Sequence, residues 1–508
     1  MTLALLIVVP LAAGILALVP GGGRETRARV LALAAMLFDL GVSAAIWLRH
    51  FSGARPPDAG WLEEFDVPWI PAWDARLHLA LDGASLALVA LTALLGVAAV
   101  LASWREVRRL VPGFHACLLW ALGGITAVFL ARDLLLFVLA WELMLVPVYL
   151  LIALWGHEGR ARAAVRFLLF TQAGGLLLLA AVLGLALAHE RATGMLTFDA
   201  ERLAATPLAP GLALVLLIGF LAAFLVKLPA IPLHTWLPEA HTQAPTAGSI
   251  VLAGLLLKTG AYGLLRFAIP LFPGAAAAVA PALMAAAVAG IFYGSVLAIG
   301  QRDLKRFIAY TSVSHMGFVL LGLFAGNDLA RQGALVQMVC HGLGTGGLFL
   351  VAGALQERLG SRSFERLGGL WDEAPRLGGA TLLLALAALG LPGLGTFLGE
   401  FLVLLGTARS SLPAAAAGAA GLVLSAVASL VLVQRALFGP APERPRVADL
   451  GAREAATLAV MCGLLLGIGL HPGPLLDAAR HGLATIAAPG SAPQPEPAPQ
   501  PPAPEGTP

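Results

Sequence analysis

The sequence predicts an all-α polytopic membrane protein with about 14 transmembrane helices. Of its 508 residues, 59% are hydrophobic and only 12% are charged, about half the charged share of a typical soluble domain. Apolar runs of roughly 20 residues, the length that crosses a bilayer as a helix, recur from one end of the chain to the other. The alternating segments of about 10 residues that are typical of a membrane β-barrel do not occur in the sequence.

The predicted spans cover approximately residues 2–20, 29–48, 79–103, 113–131, 134–155, 164–188, 211–233, 245–270, 276–300, 306–326, 331–355, 377–407, 411–438 and 455–472. The connections on one side hold most of the arginines, as in segments 105–109, 160–166 and 358–376, whereas the acidic segment 63–74 lies on the other. Because cytoplasmic loops carry an excess of basic residues, we expect both termini on the outer side of a bacterial plasma membrane.

Two of the spans contain helix-breaking residues. Span 7 has Pro229 and Pro232 just after Lys227, and span 12 has the segment 390–395, with one proline and three glycines, before Glu400. Proline removes a backbone donor and clashes with the preceding turn, so both helices should break. Broken helices at matching places in two halves indicate an inverted-repeat transporter. We therefore predict two inverted five-helix repeats, formed by spans 4–8 and spans 9–13.

These features divide the chain into five predicted parts. Residues 1–112 hold helices 1–3 with an outside loop at about 50–77, residues 113–270 and 271–438 form the two repeats, residues 439–488 hold helix 14, and residues 489–508 form a Pro-rich tail. The tail has too few apolar residues to bury, and we expect it to be disordered.

Lysine occurs only three times, at positions 227, 258 and 305, and every other cationic side chain is an arginine. Lys305 is expected in an inside loop, whereas Lys227 and Lys258 fall within spans. Arginine stays protonated in proteins, whereas a buried lysine can release its proton near neutral pH. Two lysines within spans therefore indicate proton handling, with packing or snorkelling of the side chain to the interface as the alternative.

Two acids and two histidines are also expected inside the membrane. Glu142 lies in span 5 and Glu400 in span 12, and a carboxylate at this depth is costly without a partner. We expect Glu142 to pair with Lys227, so that a change in the geometry of the pair would pass a proton onward. His315 and His341 lie in neighbouring spans 10 and 11 and can relay protons. The alternatives are a protonated structural acid and a histidine that serves only in packing.

Other residues give weaker signals. His234 and His241 fall at a span end and in a loop. Three cysteines lie singly inside apolar stretches, without the CxxC spacing of a cluster or zinc site, and we expect them to be packing residues. The chain has no nucleotide-binding glycine motif, so we expect any NADH or ATP chemistry to take place in another chain.

Several segments resemble the antiporter-like subunits of NADH–quinone oxidoreductase (respiratory complex I). They are WELMLVPVYLLIALWG at 141–156, KLPAIPLHTWLPEAHTQAPTAGSIVLAGLLLKTGAYGLLRF at 227–267 and QRDLKRFIAYTSVSHMGF at 301–318, followed in the expected order by LPGLGTFLGEF and LVQRALFG. The resemblance extends from about residue 81 to about residue 477. It is strongest to the M-type branch, which carries a glutamate in the twelfth helix where the L and N branches and some Mrp-type subunits are expected to carry a lysine. The length also leaves no room for the long lateral helix of the L branch.

The resemblance implies a role for each candidate residue. Glu142 would be the acid paired with Lys227, Lys258 the central relay, His315 and His341 the continuing path, and Glu400 the exit-side group. The resemblance also implies no cofactor in this chain, with FMN, iron–sulfur clusters and quinone in partner subunits. L-type and N-type subunits would lie on either side of it in the bilayer, and no nucleic acid would bind. Thr396 stands where we expect an asparagine, but its hydroxyl still offers a hydrogen bond at the helix break.

The predicted function is thus proton transport coupled to the oxidation of NADH by quinone in other subunits. One alternative is a subunit of an Mrp-type cation/proton antiporter, which would be driven by ion gradients. Another is a membrane-arm subunit of an energy-converting hydrogenase. A purely structural scaffold is disfavoured, because it would not need lysines and acids inside the membrane.

Overall fold

The computed structural model describes residues 1–53, 57–440, 443–444 and 446–487. Residues 54–56 of the predicted outside loop and the predicted disordered tail at 489–508 lie outside this part. Within the described residues, 12 helices are long and apolar enough to cross a membrane, and two shorter apolar helices span Thr2–Leu18 and Pro375–Leu389. The prediction of an all-helical, multi-pass membrane protein is confirmed, and each predicted span overlaps a helix or a pair of helices.

The elements follow one another along the chain. They are α1 (Thr2–Leu18), α2 (Arg24–Phe51), β1 (Glu63–Ile70), β2 (Ala75–Leu81), α3 (Gly83–Glu106), α4 (Val111–Leu130), α5 (Leu134–Leu143), α6 (Leu145–Trp155), α7 (Arg160–Thr193), α8 (Ala200–Ala204), α9 (Pro210–Lys227), α10 (Trp236–Gln243), α11 (Thr246–Leu271), α12 (Pro273–Ile299), α13 (Leu304–Phe324), α14 (Asp328–Leu359), α15 (Leu370–Glu373), α16 (Pro375–Leu389), α17 (Gly395–Ser410), α18 (Leu412–Phe438), α19 (Ala452–Leu470) and α20 (Gly473–Ala487). Single 3₁₀ turns follow β1 and precede α15.

The spanning helices differ in how completely the bundle covers them. Over its most apolar 18 residues α11 is 100% buried, as is α14, whereas α2 and α12 are each 33% buried. Helices α4 and α13 resemble the first pair, with 89% and 94% of the same window buried. An apolar helix covered all round lies inside a bundle, and one covered on a single face borders the lipid. Helices α4, α11, α13 and α14 therefore form the centre of the protein.

Both predicted helix breaks are present. Helix α9 ends at Lys227, and residues 228–235 contain no regular helix before α10 begins at Trp236. Helix α16 ends at Leu389, where Gly390 adopts φ +79°, a left-handed conformation that glycine reaches without the penalty of a Cβ. The prolines and glycines that predicted the breaks are thus the residues at which the helices stop.

Two further interruptions were not predicted. Helices α5 and α6 are separated at Met144, two residues after Glu142, where span 5 was expected to be continuous. Helix α11 contains π turns at Leu252–Leu256 and Leu264–Ala268, and Lys258 lies between them. Single π turns inside α-helices are frequently found at functional sites, because they leave backbone groups without their usual partner. Both interruptions therefore lie beside residues of the predicted proton path.

The connection between α2 and α3 contains a β-hairpin that the sequence analysis did not anticipate. Strands β1 and β2 pair antiparallel, from Glu63 opposite Leu81 to Ile70 opposite Ala75. The third span was predicted to start at about residue 79. The helix begins four residues later, because β2 continues to Leu81. Helix α3 starts at Gly83 instead, where the Asp82 side chain accepts a hydrogen bond from the backbone of Ser85 and caps the helix.

The C-terminal part holds a second helix beyond the predicted fourteenth. Helix α20 packs against the start of α3, where the backbone N–H of Gly83 donates to Nδ1 of His481 at 3.1 Å. The two helices approach closely, because a Cβ on Gly482 would come within 2.4 Å of the Cβ of Ala84. Helix α20 therefore covers the N-terminal end of α3 next to the hairpin.

Candidate functional site

Glu142 lies in the last turn of α5, immediately before the interruption at Met144. Its side chain is half-buried, and its Oε1 atom is buried without a hydrogen-bond partner among the described residues. The carboxylate points at α7, where a Cβ on Gly175 would lie 2.0 Å from Oε1. Only a glycine at position 175 therefore leaves room for the carboxylate in this position.

Lys227 is the last residue of α9 and is 1% exposed. Its Nζ atom lies 5.1 Å from the ring centroid of Trp141 and 5.6 Å from that of Phe167, within the range of cation–π contacts. It has no hydrogen-bond partner among the described residues. Trp141 precedes Glu142 in the chain, so the lysine reaches the neighbour of the acid. Within the described residues no salt bridge of 4.0 Å or less joins Glu142 to Lys227, and the pairing of these two side chains stays a prediction.

Lys258 occupies the centre of the bundle and is completely buried. Its Nζ atom lies 2.6 Å from Nδ1 of His341 on α14. It also donates to the carbonyl oxygen of Ala253, five residues earlier and inside the first π turn. A lysine ammonium can only donate hydrogen bonds, so Nδ1 of His341 must be its unprotonated, accepting nitrogen whenever the lysine is charged.

A second cluster continues from His341 towards the broken helix α16–α17. The rings of His341 and His315 lie 5.7 Å apart, centroid to centroid. Nδ1 of His315 lies 2.9 Å from Oε1 of Glu400, and the amide of Gln337 donates to the same oxygen at 3.0 Å. All these side chains are at most 3% exposed. The structure therefore joins Lys258, both predicted histidines and Glu400 in one buried chain of polar groups.

The helix break holds Glu400 at the end of this chain. The other carboxylate oxygen, Oε2, is buried without a hydrogen-bond partner in the part of the chain that the structure describes, and a Cβ on Gly390 would lie 2.8 Å from it. The hydroxyl of Thr396 donates to the carbonyl oxygen of Ala387 across the break. The expectation that the hydroxyl of Thr396 offers a hydrogen bond at the break is confirmed by this contact.

Helices α9 and α11, which carry Lys227 and Lys258, approach each other closely at Gly260. A Cβ on Gly260 of α11 would lie 2.6 Å from the carbonyl oxygen of Phe224 and 3.0 Å from the Cβ of Lys227. Gly260 is two residues beyond Lys258, so the end of α9 lies directly against the part of α11 that carries the central lysine. This close approach places the Glu142–Lys227 region beside the Lys258–Glu400 chain.

Sequence reasoning gave too little weight to two residues. Lys305 was expected in an inside loop, but it lies in the first turn of α13, is completely buried, and donates from Nζ to the carbonyl oxygen of Ala244 at 2.8 Å. His241 on α10 is also completely buried, with neither ring nitrogen hydrogen-bonded, and stacks on Phe349 at 4.6 Å. The rarity of lysine in the sequence could have identified Lys305 as a buried residue, since all three lysines are buried. No comparable feature of the sequence identified His241.

Comparisons with known proteins agree on one family. A family model described as "NADH:quinone oxidoreductase/Mrp antiporter, TM" matches residues 131–427. The chain is 46% identical to NADH-quinone oxidoreductase subunit M of Pseudomonas aeruginosa over 95% of this chain and 97% of that protein. It is 47% identical to subunit M of Escherichia coli K12 over 90% and 92% of the two chains. A chain of respiratory complex I from Thermus thermophilus with bound NADH superposes with a TM-score of 0.84 at 33% identity, covering 96% of this chain and 100% of that chain.

Fold and site together define a multi-pass, antiporter-like membrane subunit with titratable groups in contact through its centre. The two curated relatives are M subunits, and the similarity to each covers at least nine tenths of both chains. The chain belongs to the M-subunit family of the proton-translocating NADH–quinone oxidoreductases, respiratory complex I. The alternatives of an Mrp-type antiporter subunit, a hydrogenase subunit and a structural scaffold are set aside on this basis.

Proposed function

We propose that protons cross the membrane through this chain along a buried route with six titratable members. In order they are Glu142, Lys227, Lys258, His341, His315 and Glu400. The observation that carries the proposal is the series of side-chain contacts from Lys258 to Glu400. Lys258 Nζ lies 2.6 Å from Nδ1 of His341, the rings of His341 and His315 meet edge to face with their centroids 5.7 Å apart, and Nδ1 of His315 lies 2.9 Å from Oε1 of Glu400. Ionisable groups inside a membrane are energetically costly and typically mark a transport path. Each of these side chains can bind and release a proton.

The first stage of the route contains a gap that acts as a gate. Lys227 rests on the rings of Trp141 and Phe167 rather than on Glu142, and its Nζ has no hydrogen-bond partner among the described residues. The four-carbon stem of a lysine rotates freely enough to move its ammonium between neighbouring positions. Movement of Lys227 towards Glu142 or towards α11 would therefore connect or disconnect the acid from the rest of the route.

The two predicted repeats would divide the route between them. Residues 113–270 supply Glu142, Lys227 and Lys258, and residues 271–438 supply both histidines and Glu400. The Lys258–His341 contact crosses this boundary. Each repeat would then provide half of the path and one broken helix, α9–α10 beside Lys227 and α16–α17 beside Glu400.

The energy for transport would come from other chains. In this proposal FMN, iron–sulfur clusters and quinone belong to partner subunits, and L-type and N-type antiporter-like subunits lie on either side in the bacterial inner membrane, with both termini of this chain on the outer face. The coupling signal would reach Glu142 first, because its half-buried carboxylate is the most accessible member of the route.

The proposal is tested by proton uptake into inverted membrane vesicles during NADH oxidation. We expect Glu142→Gln, which keeps the shape of the side chain but removes its charge, to abolish most NADH-driven uptake and to lower quinone reduction with it. Glu158→Gln is the matched control, because Glu158 is exposed between α6 and α7. Assembly of the complex is checked for both variants by native gel electrophoresis.

Two results would contradict the proposal. If the assembled Glu142→Gln complex pumps like the parent, Glu142 does not belong to the route. If uptake is unchanged while sodium tolerance of the cells is lost, ion exchange rather than redox-driven transport is the activity of this chain.

A further inference from the structure

A cavity of about 320 Å³ lies between α3, α14 and α19, at the arginine-rich end of the bundle. This end is expected to face the cytoplasm, because basic residues accumulate on that side. Arginines and glutamates line the cavity in equal number, together with a histidine, a glutamine and two threonines. Arg105 and Arg108 at its rim are exposed. Because one water takes up about 30 Å³ of liquid, this polar cavity has room for several waters.

The inner wall of the cavity is the junction between α10 and α11. Oε1 of Glu106 accepts hydrogen bonds from the backbone N–H and the hydroxyl of Thr246, both at 3.0 Å. Oε2 of Glu106 is buried without a hydrogen-bond partner among the described residues. Thr246 is the first residue of α11, the helix that carries Lys258. The cavity therefore ends at an acid that holds the start of the helix of the central lysine.

Lys305 lies directly behind this wall. Its Nζ atom donates to the carbonyl oxygen of Ala244, two residues before Thr246, at 2.8 Å. The ammonium has three donors, and this is its one hydrogen bond within the part of the chain that the structure describes. Lys305 also lies within electrostatic range of Glu106 and His157, two residues that line the cavity. A completely buried, titratable side chain is thus next to a space that water can reach.

His241 lies between Lys305 and the central route. It is on α10, three residues before Ala244, and is within electrostatic range of both Lys305 and Lys258. Its ring is completely buried, and neither nitrogen has a hydrogen-bond partner among the described residues. Buried polar atoms without a protein partner are commonly satisfied by ordered water. An imidazole in this position can take up a proton on one side and release it on the other.

We propose that this cavity is a proton entrance on the inner side and that Lys305 and His241 relay protons from it to Lys258. Glu106 would collect the proton from the cavity, and bound waters would bridge the steps. In the last step a proton leaves the imidazolium of His241 and binds the neutral amine of Lys258, so that a neutral imidazole remains. The proposal rests on the central route proposed above, which it joins at Lys258. Glu142 would receive the coupling signal, and the cavity would supply the proton.

A structural role for Lys305 is the competing explanation. A cation at the C-terminus of a helix stabilises that helix through its unpaired carbonyl groups, and Ala244 follows the last residue of α10. Arginine can fill this capping role as well as lysine, but it does not release its proton in proteins. The two explanations therefore differ in the expected effect of Lys305→Arg.

The first test is NADH-driven proton uptake by inverted vesicles that contain the assembled complex. We expect Lys305→Arg and Lys305→Met each to lower uptake by about fivefold or more. His241→Phe should have the same effect, because phenylalanine can keep the stacking on Phe349 but cannot bind a proton. His471→Phe, at an exposed histidine, is the matched control and should retain normal uptake.

The second test examines the cavity without changing a buried residue. Ala102 lines the cavity and is partly exposed, and inverted vesicles present the inner side of the membrane to added reagents. Modification of the Ala102→Cys variant with a trimethylammonium methanethiosulfonate should lower uptake several-fold. The three cysteines of the parent are buried, so the parent should not respond. Glu158→Cys, at an exposed position outside the cavity, should be modified without loss of uptake.

Two results would overturn the proposal. Normal uptake by Lys305→Arg together with loss in Lys305→Met would show that Lys305 only caps α10. Normal uptake by the fully modified Ala102→Cys variant would exclude the cavity as the entrance, and this result is available even if the Lys305 variants do not assemble. Lys258→Arg separates the two levels of the argument. If it loses uptake while the entrance variants keep it, the entrance alone is wrong, whereas normal uptake in Lys258→Arg would contradict the central route itself.

Discussion

Nζ of Lys258 lies 2.6 Å from Nδ1 of His341, and the two side chains come from α11 and α14, the two most completely buried spans of the protein. One proton can be shared across this contact, but the pair cannot bind a proton on both facing atoms without bringing two positive charges together in a medium of low dielectric constant. In the proposed route, proton uptake by the lysine would therefore be linked to proton release from the histidine.

Replacing Lys258 by arginine should abolish transport although the positive charge is kept. Arginine does not release its proton in proteins, so it cannot take part in a relay. We expect Lys258→Arg and Lys258→Met each to retain less than about a tenth of NADH-driven proton uptake by inverted vesicles. Arg306→Lys, an exchange of the same two residues at an exposed position, should retain normal uptake. Transport by an assembled Lys258→Arg complex would exclude proton release from position 258.

Gly175 sets the position of the Glu142 carboxylate and can be tested by adding one methyl group. In Gly175→Ala the Cβ would meet Oε1 of Glu142 at 2.0 Å, and because that atom ends a flexible side chain, the acid should move while the fold is kept. We expect proton uptake to fall several-fold. Gly184→Ala on the same helix meets only the terminal Cδ2 of Leu216, at 2.9 Å, and serves as the control. Equal uptake by the two variants would show that the position of the carboxylate is not critical.

Thr396→Val should loosen the broken helix α16–α17. The substitution keeps the size of the side chain but removes the hydrogen bond to the carbonyl oxygen of Ala387, a loss of about 1 kcal/mol for a typical bond. Amide hydrogen exchange in residues 390–396 should accelerate about fivefold, and Thr396→Asn should exchange as slowly as the parent. Thr407→Val is the control, because the hydroxyl of Thr407, on the same helix, is buried and finds no hydrogen-bond partner among the described residues. Faster exchange in both valine variants would point to a general effect of the substitution.

The β-hairpin should become less stable as pH rises above neutrality. His78 on β2 lies 2.8 Å from Glu64 and 3.6 Å from Asp199. Burial lowers the pKa of His78, but Asp199 and Glu64, with Asp66 nearby, outweigh it and raise the pKa above the ordinary 6.5. A raised pKa means that the contact contributes its full stability below pH 6.5 and loses it as pH rises through the folded-state value.

Amide exchange of the hairpin, corrected for the intrinsic effect of pH, measures this change. It should increase between pH 6 and pH 9 in the parent and not in His78→Gln. His471→Gln, at an exposed histidine near the same end of the bundle, should behave like the parent. A parent hairpin whose corrected exchange is independent of pH would contradict the assignment of His78 as a charged partner.

Hydropathy and helix-breaking residues predicted most of the fold, because transmembrane helices must satisfy their own backbone and are written as long apolar runs. The hairpin was missed for a local reason. Strands β1 and β2 together contain Pro68 and four charged residues, so the segment has the composition of a loop. The exposure of the side chains along β1 nevertheless alternates, as it does in a strand. Period-2 alternation in a short polar segment is a weak signal beside the hydropathy of the neighbouring spans.

The candidate site was predictable as a set of residues but not as a set of contacts. Charged residues within apolar runs identified Glu142, Lys227, Lys258 and Glu400, since such residues are costly there. Which of them touch depends on rotamers and on helix packing. Trp141, rather than Glu142, meets Lys227, and uncharged Gln337 shares an oxygen of Glu400. A neutral amide inside a span gives no warning in a sequence, so its part in the network becomes visible only in three dimensions.

The burial of every lysine has a consequence for chemical labelling. The three side chains are at most 1% exposed, so the folded chain offers amine-reactive reagents no lysine at its surface. Acylation of residues 227, 258 or 305 then requires an opening of the bundle. The rate of such acylation during NADH turnover, followed by peptide mass spectrometry, would report how often each part of the interior becomes open to water.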